Sequence, residues 1–191
     1  LLAHVIPRGG RVSGTSAVMK LDGWTWKDAT MKHQAGLHIN WPQMKVDRTQ
    51  HGKKSTAEAL DERNEKLKEL DDMLEDAKAY RASIIGIESQ EVDMRWEAFI
   101  PVLDKEIPVF IHANKSLQIK AAAEWCIRNE LKMVLVGGAD SWKEWQLLKE
   151  NNIPVIYGPT LSVPMRRDER TDTKYSVPAK LWEKGIKFCI M

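Results

Sequence analysis

Ile107-Pro108-Val109-Phe110-Ile111-His112-Ala113-Asn114 is the stretch on which the fold turns. Its first five residues are β-branched or aromatic apart from Pro108, which predicts a short buried strand over 107–111. A helical pattern follows from about Leu117 to Glu130, then a second strand, Met133-Val134-Leu135-Val136, ending in Gly137-Gly138. Ser141 and Glu144 stand at capping-box spacing and predict a helix running to about Asn151. Ile153-Pro154-Val155-Ile156-Tyr157 is a third strand, closed by Gly158-Pro159. Val177 to Lys184 reads as a helix stopped by Gly185, and Lys187 to Met191 as a fourth strand. Strand starts recur at roughly 20 to 35 residues, the length of one β/α unit. Short apolar strands alternating with helices predict a parallel sheet buried on both faces, half a barrel or half a doubly wound sheet.

The first half is less regular. Leu2 to Ile6 reads as a strand, and the glycine-rich Pro7 to Ser16 follows as a loop. A short helix is expected around Trp24 to Lys32, and a strand over Gly36 to Trp41. Residues 42–55 are polar and turn-rich. Thr56 to about Ala82 is a long charged helix with Leu60, Leu67, Leu70, Leu74 and Ala77 on one stripe. Such a stripe predicts an amphipathic arm packed on the body, with a partner-binding or dimerising coiled coil as the alternative.

Composition excludes several classes. With 29 Lys and Arg against 27 Asp and Glu the net charge is +2, which announces no nucleic-acid binder. The sequence holds no apolar run long enough for an ordinary membrane-spanning helix, so no membrane partner is expected. Cys126 and Cys189 match no metal or redox spacing, and both are expected to be small buried residues. The chain opens on apolar Leu1 to Ile6 and closes on apolar Ile186 to Met191, so we read it as an interior piece of a larger protein. Its compartment is not legible.

Five histidines are present: His4, His33, His38, His51 and His112. Only His112 follows a predicted parallel strand, at the end where such folds place their active sites, with Asn114 beside it. Imidazole there can bind a divalent metal or act as acid or base near neutral pH. Gly9 to Thr15 could cradle an anion but lacks the dinucleotide fingerprint, so a tight loop without ligand is the plainer reading. Gly52-Lys53-Lys54-Ser55 echoes the end of a phosphate-binding loop without its first glycine or strand, and is rejected. Arg166-Arg167-Asp168-Glu169-Arg170 is mixed in sign and reads as a solvated loop.

The ordered set 107–114, Val134 to Gly138 and Ile153 to Pro159 resembles the centre of a metal-dependent amidohydrolase. Pro7-Arg8-Gly9-Gly10, Ser13 to Ala17, Leu21 to Thr25 and Leu37-His38-Ile39-Asn40-Trp41-Pro42 resemble the imidazolonepropionase-like branch of that superfamily. The resemblance implies an α/β fold: a partial (β/α)8 TIM-like barrel, truncated at both ends, with 56–82 as an inserted helical arm and 1–191 as the central part of one domain. It implies that His112 is the fifth-strand metal ligand and that the cofactor is a divalent metal, zinc. The sixth-strand histidine of the pattern falls near Gly137-Gly138, where no histidine stands. The first-strand pair falls before Leu1 and the eighth-strand Asp after Met191.

Two functions follow from this resemblance. The first is hydrolysis of an amide or cyclic amide-like C–N bond in a small-molecule substrate through metal-activated water, with this stretch alone inactive. The second is a non-catalytic barrel that binds a small molecule or a protein. Self-association is left open under either.

Overall fold

Each β/α unit of the second half closes in the same way, and that repetition sets the strands. A helix ends, one residue turns left-handed, and the next apolar residue is bonded back to the last turn. Glu130, Asn152 and Gly185 take that position with φ of 55°, 52° and 72°. Behind them the amides of Leu131, Ile153 and Ile186 donate to the carbonyls of Cys126, Leu148 and Leu181. Each closure delivers the chain to a strand two or three residues later.

A computed structural model describes residues 1–45, 56–84, 92–158, 160 and 169–191, and they fall into two compact units. His38–Trp41 and Pro108–Met191 form the second unit. Its strands are β4 (Val109–Ala113), β5 (Met133–Gly137), β6 (Val155–Tyr157) and β7 (Phe188–Ile190). All adjacent pairs are parallel, with Val109 opposite Met133, Leu135 opposite Val155 and Val155 opposite Phe188. The connecting helices are α5 (Ser116–Arg128), α6 (Trp145–Glu150) and α7 (Thr173–Glu183). Strand order follows chain order without reversal, as in part of a β/α barrel and unlike the switch point of a doubly wound sheet. The α/β class is therefore as expected, and the arrangement is consistent with a partial barrel.

The core of this unit comes from apolar periodicity. On α5, Ile119, Ala122, Ala123 and Cys126 recur at three- and four-residue spacing and are buried. The helix packs on β4 and β5, whose Val109, Ile111 and Leu135 are fully buried as a two-sided parallel sheet requires.

The first unit comprises residues Leu1–Leu37 and Pro42–Ile107. Strand β1 (Leu2–Val5) pairs antiparallel with β2 (Val12–Lys20), Leu2 opposite Lys20 and Val5 opposite Ala17. Helix α1 spans Trp26–Ala29, and β3 (Thr30–Asn40) carries the chain into the second unit. Helix α2 (Thr56–Ile84) packs with α3 (Met94–Glu97) and α4 (Ile100–Leu103). Its buried side chains are Ala59, Leu70, Leu74, Ala77 and Tyr80, and the Tyr80 hydroxyl donates to Glu97 while accepting from the Asp93 amide.

Several expectations are corrected. Residues expected as a glycine-rich loop supply much of β2, because the strand already begins at Val12 after the left-handed Gly9 and Gly10, and its far end, Ala17 to Lys20, pairs with β1. The strand expected to end at Ile111 runs through Ala113, so His112 lies inside it. Ser141 opens a 3-10 turn rather than a capped helix. Its hydroxyl finds no partner among the described residues, while Glu144 accepts from Ser116. Leu60 is exposed, since the buried stripe of α2 runs through Ala59 and Leu70. Cys126 is buried as expected, which pushes its thiol up to about 12, but Cys189 is exposed near the end of β7. The rejected Gly52–Ser55 motif, His51, Pro159 and Arg166–Asp168 lie outside the described residues. Among the described residues no helix is long and apolar enough to cross a membrane.

A left-handed non-glycine residue at a helix end carries strain of roughly 1–2 kcal/mol, partly offset by the greater unfolded-chain entropy of glycine. Glu130→Gly should therefore stabilise the protein by about 0.5–1 kcal/mol in urea unfolding. A loss of stability would show that the Glu130 side chain does more than tolerate the turn.

Candidate active site at the end of β4

The parallel register brings three strand ends together. His112 of β4 lies opposite Val136, and Ala113 opposite Gly137, while Gly137 in turn lies opposite Tyr157. His112 is half-buried near the C-terminal end of β4. Desolvation lowers its pKa below the ordinary imidazole value, so at pH 7 the ring is neutral, the form that ligates metal.

A second imidazole stands against it. The Nδ1 of His38 lies 2.9 Å from the Nε2 of His112, one ring N–H donating to the other ring's lone pair. His38 is fully buried at the end of β3 and stacks on Phe110, ring centroids 4.7 Å apart and planes within 8°. The backbone next to the pair is held as well. The Trp41 amide donates to the His112 carbonyl at 3.2 Å. The Gln118 side-chain amide donates to the Trp41 carbonyl, and its oxygen accepts from the Lys115 amide. One buried glutamine thus ties the end of β3 to the start of α5.

Sequence reasoning selected His112 and passed over His38. The two are 74 residues apart, and a single histidine on an apolar strand reads as core. The strand pattern around Gly36 to Trp41 was legible, but nothing in it indicated which strand His38 would face. His4 bonds to the buried Ser16 hydroxyl at 2.7 Å, and His33 is exposed on β3. The glycines at 9 and 10 serve the β1–β2 turn.

Gly137 explains why no side chain stands at the end of β5. Its φ is +95°, and a Cβ built there would lie 2.5 Å from Asn114 Oδ1. At Gly138, with φ +63°, a Cβ would crowd Val155, Leu135 and Ser141 at 3.1 to 3.3 Å. The end of β5 is thus closed to any side chain by backbone conformation and by the Asn114 carboxamide. Beyond it, the buried Asp140 accepts from the Ser116 amide and pairs with Lys143 at 3.0 Å, capping α5. The buried Tyr157 hydroxyl donates to the Lys174 carbonyl, and burial with Glu169 and Asp140 raises its pKa, so it stays protonated.

The pair suits a metal in donor type. Two nitrogens on one tetrahedral zinc stand roughly 3.3 Å apart, given bonds of about 2.0 Å, so the two rings need open only slightly once their shared proton leaves. The number of donors is smaller than a catalytic site needs: among the described residues no group of three His, Cys, Asp or Glu side chains is placed to hold an ion.

The strain at Gly137 is directly measurable. Gly137→Ala should cost about 1–2 kcal/mol in urea unfolding. Adding Asn114→Ala should recover the steric part and leave the φ cost; a Gly137→Ala chain as stable as the parent would refute this account.

No protein-family model and no curated protein matches the chain. Among solved structures, the chain is similar to an amidohydrolase from Thermotoga maritima MSB8, with a TM-score of 0.82 and 23% sequence identity. The match covers 100% of this chain and 50% of that one, so these residues span half the length of the solved neighbour. At this identity the likeness is one of fold: the chain has the fold of half of an amidohydrolase.

Proposed function

We propose that the chain forms part of a metal-dependent hydrolase acting on amide or cyclic amide-like C–N bonds of a small molecule. The observation that carries this reading is the pair of imidazoles, His38 and His112, at a strand end in a fold shared with an amidohydrolase. His112 and His38 are the residues that would hold the ion, zinc by donor type. Bound there, zinc would supply a water acidic enough to attack at neutral pH and would polarise the scissile carbonyl. The further ligands on this reading lie outside the described residues, among them the first-strand pair and the eighth-strand Asp of the family pattern.

The chain's own side chains do three things. Phe110 and the strand around it fix the His38 ring, so its nitrogen is presented in one orientation. Burial keeps His112 neutral and available. Asn114, exposed two residues beyond His112 and folded over Gly137, offers a carboxamide that can pair with both the N–H and the C=O of an amide substrate. A cyclic amide of the imidazolonepropionase-like branch fits that pairing, since such a ring presents both groups on one edge.

A second reading rests on the closed position at Gly137. A barrel that lacks the sixth-strand histidine could keep the scaffold and bind a small molecule without turning it over.

Cobalt separates the two readings, because its visible absorption reports nitrogen ligation directly. The isolated 191 residues should bind cobalt or zinc weakly and hydrolyse nothing, and either histidine changed to alanine should weaken even that binding at least tenfold. Micromolar zinc affinity with turnover of a cyclic amide such as hydantoin by these residues alone would show the ligand set complete. Metal binding unchanged in His112→Ala would remove His112 from the site and leave the binding barrel.

A further inference from the structure

The tip of the first unit exposes what a folded surface normally hides. From the end of β2 into the start of β3 the chain runs Leu21-Asp22-Gly23-Trp24-Thr25-Trp26-Lys27-Asp28-Ala29-Thr30-Met31. Trp24 is 97% exposed, Trp26 69%, Leu21 65% and Met31 56%. These four side chains present roughly 500 Å² of apolar surface, at the upper end of what a monomer leaves to water.

The tip is held in one shape by its own bonds. The Thr25 hydroxyl accepts from the Asp28 amide and donates to the Asp28 carboxylate at 2.8 Å. The Thr30 hydroxyl donates to the Trp26 carbonyl at 2.6 Å. Gly23 lies so close to Ala29 that a Cβ would come within 3.0 Å of it, which folds the loop back on itself. An apolar surface already ordered loses little entropy on docking.

We propose that this tip is a self-association surface whose occupant is the same tip of a second copy of the chain. Size and charge select that partner. Standard interfaces bury about 800 Å² on each side, and the apolar patch alone supplies more than half of that. The flanks carry both signs, Lys20, Lys27 and Lys32 with Asp22 and Asp28, so a two-fold pairing can set the lysines of one tip against the aspartates of the other. An anionic lipid surface or a nucleic acid would be served better by one sign alone. Trp is also the side chain that most often anchors a protein interface.

Sedimentation equilibrium of the chain over about 1–100 µM should show a reversible monomer–dimer equilibrium, and the apolar contact should survive ~0.5 M salt. Trp24→Ser with Trp26→Ser should weaken it about a hundredfold, with the far-ultraviolet circular dichroism of the parent retained because both side chains are exposed. Each single variant should fall between. A parent that stays monomeric across the range overturns the proposal, as does a double variant that dimerises as well as the parent. A monomeric parent that sediments with phosphatidylserine vesicles, and loses this in the double variant, would overturn it in favour of a lipid surface.

Discussion

The second unit depends on β4 being bonded along both of its edges. On one side the parallel ladder sets Val109 to Ala113 against Met133 to Gly137. On the other the Trp41 amide reaches the His112 carbonyl, bringing the end of β3 alongside. A central strand buried on both faces must pair all its backbone groups, since each orphan would cost on the order of 1–3 kcal/mol. That demand fixes where His112 stands and which strand supplies its neighbour. The contact between the imidazoles is a product of register, because a slip of one residue in either strand would turn a ring to the opposite face.

The same backbone accounting explains how much of the fold could be read beforehand. Strands β4 to β7 were legible from short β-branched runs, since residues buried on both faces leave no other composition. Helix ends were legible to within a residue or two near Glu130 and Asn151 as well as at Gly185, but the left-handed turn that closes each was legible only at the glycine. Gly185 stops α7 as glycine usually does, but Glu130 and Asn152 adopt the same left-handed turn with side chains that do not advertise it. The β1–β2 pair was obscured for a related reason. Glycines at 9, 10 and 14 suggested one irregular loop, whereas two make the turn and the third sits inside a strand. Composition counts glycines; only geometry says which need their freedom.

At the candidate site the sequence located one ring of two. His112 stood out because it lies at the C-terminal end of a strand pattern that could be traced. His38 did not, because its partner is remote in sequence and the burial that makes it matter is tertiary. Gln118 was hidden in the same way, a polar residue within an apolar helix face whose bonds run back to Lys115 and across to Trp41. Buried polar side chains are expensive unless fully paired, so their appearance in a helix or strand pattern signals a tertiary partner without naming it.

The closed end of β5 bears on which chemistry the scaffold can host. A side chain at Gly137 must accept a left-handed backbone and displace the Asn114 carboxamide, so the absence of a ligand there is built into the fold and is not a simple substitution. A two-metal site needs donors on several adjacent strand ends, and here β5 offers only backbone. On the function proposed above, a single ion held by His38, His112 and further donors would place no such demand on β5, so the closed strand end argues against a second metal and leaves the first untouched.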